Sequence, residues 1–438
     1  GRRTGGGWLF IATMPERELR NRVVRVESEV GAGSAGKAAA DAGEVGSAAG
    51  AKPLGDAGRE KALRQYRKPY EIPEEFPEMS AVLGVIPKHC FEKPLLKSLA
   101  YMFASLFLTL ALPVLAWRYL PAPSISSPLS VACWLFYAFW EGTIATGCWV
   151  IAHECGHNAF CENKYIQDGI GFVLHSALLV PYFSWQRSHA VHHSRTNHLT
   201  EGETHVPETL DEGASGHSKM RLFDWIGEDA FAVVNLFNHL VLGWPVYLLT
   251  GATGSPARGF SNHFVPSNDA LFPGNWKLKV LASDVGIIVV IAGLYQWARV
   301  AGSTQVVALY VLPYLFTNMW LVLYTWLQHT DVDVPHFDAS NWTWLKGAFM
   351  TVDRPYPQPF DWLHHKIGST HVAHHLCSRI PHYHAQEATE AIKSAFPQYY
   401  LYDPTPIIPA MWRVARTCVA TAPEGNRHYY TNPTAKAA

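Results

Sequence analysis

Long stretches without a charge constrain this chain more than any other feature. Residues 300–328 contain no Asp, Glu, Lys or Arg, and neither do residues 99–117. Both reach the roughly 20 apolar residues that a helix needs to cross a bilayer core. Residues 129–152 form a third run, broken only by Glu141, and 280–298 a fourth, flawed by Asp284. A lone carboxylate facing lipid is expensive, so Glu141 is expected to face protein or water. These runs predict an all-α integral membrane protein. Its four transmembrane helices, near 99–118, 129–152, 280–299 and 305–327, form two hairpins. Residues 170–183 are apolar but too short to span, and 230–250 are interrupted by Asn235, Asn238 and His239. Both are read as interfacial helices. Charged residues make up 16% of the chain and aromatic ones 13%, which suits a membrane protein with interfacial rings. A net charge of -1 gives no basis for nucleic-acid binding.

Outside the apolar runs the chain changes character. Residues 1–60 include a stretch rich in Gly, Ala and Ser and are expected to be disordered, with Met14 a candidate true start. The apolar run at 8–12 is far too short for the apolar core of a signal peptide, so none is expected there. Residues 61–425 read as one membrane domain, entered through an irregular, proline-bearing lead-in at 61–97, and 426–438 read as a tail. The seven cysteines are scattered with no C-x-x-C pair. Neither a disulfide framework nor a zinc ribbon is indicated.

Histidines gather where the apolar runs end. His153 and His157 are four residues apart at the end of the second run, so a helix puts both on one face. The pattern H-x-x-H-H then occurs twice, at His189, His192 and His193 and at His371, His374 and His375. One metal takes three or four such ligands, so eight clustered imidazoles suit two metals with four or five each. Imidazole binds Zn, Cu, Fe and Ni alike, and the ligand list alone does not name the metal. The scattered His175, His198, His205, His217, His239, His263 and His428 are read as structural. Gly156, inside the first cluster, weakens the helix and gives room for close packing near the metals. With four crossings and residues 170–183 not crossing, all three clusters fall on one membrane side as a His-rich cap. The far-side loops at 121–128 and 301–305 have no Lys or Arg, which puts that cap in the cytosol.

These residues resemble the membrane-bound fatty acid desaturases, most closely the omega-6 (delta-12) acyl-lipid type, in a form similar to that of stramenopile algae. The resemblance rests on Ala152-His153-Glu154-Cys155-Gly156-His157, Ser188-His189-Ala190-Val191-His192-His193-Ser194 and Thr370-His371-Val372-Ala373-His374-His375-Leu376. Pro381-His382-Tyr383-His384-Ala385, Gly243-Trp244-Pro245 and Leu327-Gln328-His329-Thr330 extend it. Ala190-Val191 stands where two arginines are usual. The resemblance implies a diiron centre held by the eight box histidines and a ninth ligand near the end of the fourth span. His329 fits that place and His365 is the runner-up. Glu154, His382 and His384 are expected to support ligand rings or the fold, with direct ligation the less favoured role.

The implied reaction uses O2 and two electrons to introduce a cis double bond at delta-12 of a phospholipid-bound oleoyl chain, giving linoleoyl. Cytochrome b5 and its NADH reductase are the implied electron donors. No fused His-Pro-Gly-Gly heme motif is present. Alternatives are an omega-3 desaturase, a diverged hydroxylase, epoxygenase or acetylenase, and, from another class, a His-rich metal transporter. A transporter predicts polar residues in mid-span, and the spans here are nearly clean. Endoplasmic reticulum is favoured over plastid because residues 1–60 carry Asp and Glu freely, unlike transit peptides. Homo-oligomerisation is left open.

Overall fold

The computed structural model of the protein describes residues 72–210 and 218–431. The expected disorder of 1–60, and Met14, lie outside the described residues. The lead-in is not wholly irregular: α1 (Met79–Val85) is followed by a 3-10 turn, Lys88–Phe91. Helices α2 (Leu95–Tyr119) and α3 (Pro128–Gly156) form the first long pair. Pro128 opens α3 with its φ pre-set for helix, and the Ser127 hydroxyl caps the end by accepting from the Ser130 N–H. The two helices bury themselves very differently. α2 leaves Phe103, Phe107, Leu110 and Val114 exposed, whereas α3 is buried through most of its C-terminal half. Among them Glu141 is 3% exposed and faces protein, as expected.

After α3 come α4 (Lys164–Ala177), capped by the Asn163 side chain, and α5 (Tyr182–Ser194). Neither reaches spanning length. Two residues of strand β1 (Glu208–Thr209) precede α6 (Ser218–Ile226) and α7 (Glu228–Phe237). A π turn at Asn238–Leu242 carries α7 into α8 (Gly243–Thr250). The second long pair is α9 (Trp276–Ala301) and a helix made of α10 (Ser303–Val306), a π turn at Val307–Val311 and α11 (Leu312–His329). Short helices α12 (Trp344–Phe349), α13 (Phe360–Leu363) and α14 (His371–Leu376) lead to α15 (His382–Ala395) and α16 (Ile407–Thr417).

The fold departs from expectation in three ways. Among the described residues five helical stretches are long and apolar enough to cross a membrane, one more than the four expected spans, because α7, the π turn and α8 make one continuous stretch, Glu228–Thr250. Three polar residues did not shorten it, since the π turn absorbs the break in periodicity at Asn238 and His239. The chain is mostly helical rather than all-α: β1 pairs in parallel with β2 (Ala420–Glu424), and β2 pairs antiparallel with β3 (Arg427–Thr431). The start of the expected tail is therefore a strand. The four anticipated spans match α2, α3, α9 and α10–α11, each running a few residues further.

α3 and α11 pack most closely. A Cβ on Gly142 would lie 2.5 Å from the Phe316 Cβ and the Pro313 carbonyl oxygen, so only glycine permits this approach. Thr317 Oγ1 donates to the Gly142 carbonyl at 3.1 Å, and Trp320 Nε1 to Thr143 Oγ1 at 2.9 Å. Small residues with hydroxyl bonds between helices are what apolar surroundings favour. His153 lies near the end of one of these two helices and His329 at the end of the other. Beyond His329 a buried ion network fixes the chain. Arg354, 0% exposed, donates from Nε to the Leu327 carbonyl and pairs with Asp331 at 2.6 Å and with Asp403. Arg413 of α16 reaches the same two carboxylates at 2.5 and 2.7 Å.

Candidate metal centre

Three helix segments carry the boxes, and α11 adds a fourth contributor. His153 is one turn from the end of α3 and His157 caps it. α5 presents His189, His192 and His193, and α14 presents His371, His374 and His375. One ligand nitrogen from each of His153, His157, His189 and His374 lies within 4.8 Å of all the others. His193 joins them, its Nε2 lying 3.2 Å from that of His189 and 3.1 Å from that of His374. His192, His329 and His375 form a second group by the same measure. His371 completes it, with Nε2 2.9 Å from the His329 Nε2, which is itself 3.1 Å from the His192 Nε2. The four of the first group plus His193 make five, and the three of the second plus His371 make four. The groups abut: the His193 and His375 rings stack at 4.1 Å with 15° between planes.

These spacings fit metal ions. Two nitrogens each about 2.1 Å from one ion and at right angles lie about 3 Å apart, the separation seen for four Nε2 pairs. Two hydrogen-bonding imidazoles also approach so closely, but each such bond uses one lone pair, and nine rings converging on two points leave lone pairs over. His157 Nε2 and His375 Nε2 are buried with no hydrogen-bond partner. Burial, followed by the neighbouring imidazoles, holds His157, His189, His193, His371 and His375 well below the ordinary histidine range, and His192 falls to about 3 through burial and His153. They are neutral at pH 7, as metal ligands must be. No thiolate takes part, which suits imidazole-binding first-row metals.

Surrounding groups aim the rings. The Thr196 hydroxyl donates to the His192 carbonyl at 2.8 Å and lies 3.2 Å from His375 Nδ1. With its proton so committed, Thr196 accepts from Nδ1–H and leaves the His375 Nε2 lone pair free. The Asp353 carboxylate accepts from the His371 and Val372 N–H groups at 2.6 and 3.0 Å, and from the Tyr400 hydroxyl at 2.5 Å. It thereby satisfies the first N–H groups of α14. Glu154 accepts from the His382 N–H at 2.9 Å and lies 3.4 Å from His153 Nδ1. Trp149 stacks on His153 and Trp185 on His189. A Cβ on Gly156 would meet the Trp185 ring at 3.0 Å, so the glycine does admit close packing.

His329 lies in the second group and His365 does not. His365 Nε2 is 3.0 Å from Ser105 Oγ, and its ring packs on His382 at 4.4 Å. His382 and His384 lie outside both groups. Among the histidines read as structural, His175 binds the Trp149 carbonyl and His198 accepts from the Thr200 and Glu201 N–H groups. His205 is closer to the centre than expected. Held at φ 57°, it stacks on His329 at 5.1 Å with 11° between planes. Nothing in its spacing signals this. The tryptophans were within reach, for each precedes a box histidine by four residues.

Comparison with known proteins gives a consistent assignment. Residues 126–405 match the family described as fatty acid desaturase. The chain is 43% identical to a Delta(12)-acyl-lipid-desaturase of Punica granatum over 79% of its own length and 87% of the relative's. It is 41% identical to an omega-6 fatty acid desaturase, endoplasmic reticulum isozyme 2, of Glycine max over 82% and 90%. It is also 41% identical to an oleoyl-12-hydroxylase of Ricinus communis over 77% and 85%. Boxes, geometry and relatives agree, and the chain belongs to the fatty acid desaturase family.

Proposed function

We propose that this chain introduces a cis double bond at delta-12 of an oleoyl chain carried on membrane lipid, giving linoleoyl, with O2 as oxidant. The observation that carries the reading is the convergence of nine imidazoles on two adjacent points. His153, His157, His189, His193 and His374 would hold one iron, and His192, His329, His371 and His375 the other. Such an iron pair, once reduced, supplies an O2-derived oxidant strong enough to remove hydrogen from an unactivated methylene. The protein's part is to bind, orient and shield. Asp353 and Thr196 fix ring orientation. Trp149 and Trp185 wall the first group with apolar surface and keep water from it. The two electrons per turnover come from cytochrome b5, docking on the histidine side.

Topology follows from parity. The boxes meet, so an even number of crossings separates any two of them. Among the described residues, three long apolar stretches lie between the second and third boxes. Two of them cross, α9 and α10–α11, and Glu228–Thr250, which carries Asn235, Asn238 and His239, lies along the bilayer surface. With α2 and α3 this makes four spans in two hairpins. The Lys- and Arg-free loops lie on the far side and the boxes in the cytosol, at the endoplasmic reticulum as in the name of the soybean relative.

The hydroxylase relative supports a second reading, since it too is 41% identical. Expression in yeast with fatty-acid profiling separates the two. Linoleate formed from oleate is the expected product. A 12-hydroxy acid would favour the second reading, and an omega-3 product or no new fatty acid would refute the delta-12 assignment.

A further inference from the structure

We propose that His89, Cys90, His384 and Glu387 form a further metal site, of the kind that takes Zn2+, which clips the segment before the first long helix onto α15. One ligand atom from each lies within 4.8 Å of all the others. The residues come as two short pairs from opposite parts of the chain. His89 and Cys90 are adjacent in the 3-10 turn Lys88–Phe91, entered through Pro87. His384 and Glu387 are three apart on α15, hence on one face. His89 Nε2 is 2.8 Å from Glu387 Oε2, Cys90 Sγ is 3.9 Å from His89 Nε2, and the His89 and His384 rings meet edge-on at 5.4 Å.

Chemistry selects the ion. One thiolate, two imidazoles and one carboxylate is a tetrahedral zinc set. Bonds of about 2.0–2.3 Å put tetrahedral edges at about 3.3–3.7 Å; the 2.8 Å His89–Glu387 gap is shorter and the 3.9 Å Cys90–His89 gap longer, so small side-chain shifts close the four groups on one ion. Calcium and magnesium need six or more oxygen donors and find one carboxylate. The His89–Glu387 ion pair alone does not explain the arrangement. It is half exposed and screened by water, and it gives no reason for a buried thiol and a second imidazole at the same point. None of the four residues belongs to the nine-histidine centre, so the site stands or falls independently of the diiron reading.

The clip has a structural consequence. α15 begins at His382, whose N–H is bound by Glu154 beside His153. An ion joining the N-terminal turn to α15 therefore steadies the helix that holds Glu154 in place.

Cobalt tests this on the full-length, detergent-purified protein. The histidine centre has no thiolate, so Co2+ there gives ligand-field bands only. At the clip it adds a thiolate-to-cobalt charge-transfer band in the near ultraviolet. That band is expected in the wild type, absent from Cys90→Ser, with iron per chain unchanged between them. No such band in the wild type, or the same band in Cys90→Ser, overturns the proposal. Should Cys90→Ser fold poorly, the double variant His89→Gln/Glu387→Gln alters two exposed side chains and should weaken Zn2+ binding at the clip at least tenfold. Unchanged Zn2+ affinity there overturns it equally.

Discussion

Asp353 touches none of the ligand nitrogens, yet its removal should empty part of the centre. It is fully buried, and its carboxylate receives two backbone N–H groups of α14 and the Tyr400 hydroxyl. Asp353→Ala leaves three buried donors without a partner. Each costs about 1–3 kcal/mol, so the loss lies at about 3–9 kcal/mol before relaxation. Part returns, because a buried carboxylate no longer has to be desolvated and water can enter the space. A net loss of about 3–5 kcal/mol is expected, a large share of a typical stability of about 5–15 kcal/mol. Local effects matter more than the total. α14 has only six residues, and His371 is the first of them. Once its N-terminus is free, His371 drifts from His329, and the four-histidine group loses its ion before the five-histidine group does. Asp353→Asn keeps an acceptor for both N–H groups and should lose only about 1 kcal/mol. The assay is iron per chain together with the melting temperature of detergent-purified protein. Asp353→Ala should fall by about one iron and melt roughly 5–10 °C lower. Full iron occupancy at an unchanged melting temperature would refute the reasoning.

Other substitutions test neighbouring contacts. Thr196→Val removes the acceptor for His375 Nδ1–H and should weaken metal binding about 10–100-fold, while Thr196→Ser should restore it; equilibrium dialysis against a chelator reads both. Arg354→Ala leaves Asp331 and Asp403 with Arg413 as their remaining arginine partner and should destabilise by about 3–5 kcal/mol, seen as a lower melting temperature. Glu203, buried with the Tyr247 hydroxyl donating to both its oxygens, is pushed up to about 8 chiefly by burial. Its folded value exceeds its unfolded one, so its contribution is fully present below about pH 4.5 and is lost as pH rises toward about 8. Glu203→Gln cannot ionise, and its stability relative to wild type should therefore increase between about pH 5 and 8. A pH-independent difference in melting temperature would count against the assignment.

What the sequence revealed depended on how far apart the interacting groups lie along it. The box histidines were legible because three- and four-residue spacing places rings on one helical face, and three such spacings in one chain have few other uses. Glu141 was legible because an apolar run isolates it. His329 came from resemblance, since a single histidine after an apolar run carries no pattern of its own. Asp353, Thr196 and Arg354 were not legible, because their partners are backbone groups and residues from distant segments. β1 is two residues long and pairs with a strand more than 200 residues later, far too short for alternation to register. The full helical length of the stretch 228–250 was not legible, because its polar residues interrupt a helical period that the π turn resets.

Iron stoichiometry in wild type and His329→Ala tests the nine-histidine centre most directly. His329 Nε2 lies about 3 Å from both the His192 and the His371 Nε2, so it belongs to one group only. Wild type should carry two irons per chain, with Mössbauer spectra of a coupled pair, and His329→Ala one iron, uncoupled, with no desaturation. Two coupled irons and full activity in His329→Ala would contradict the assignment of nine imidazoles to two metals.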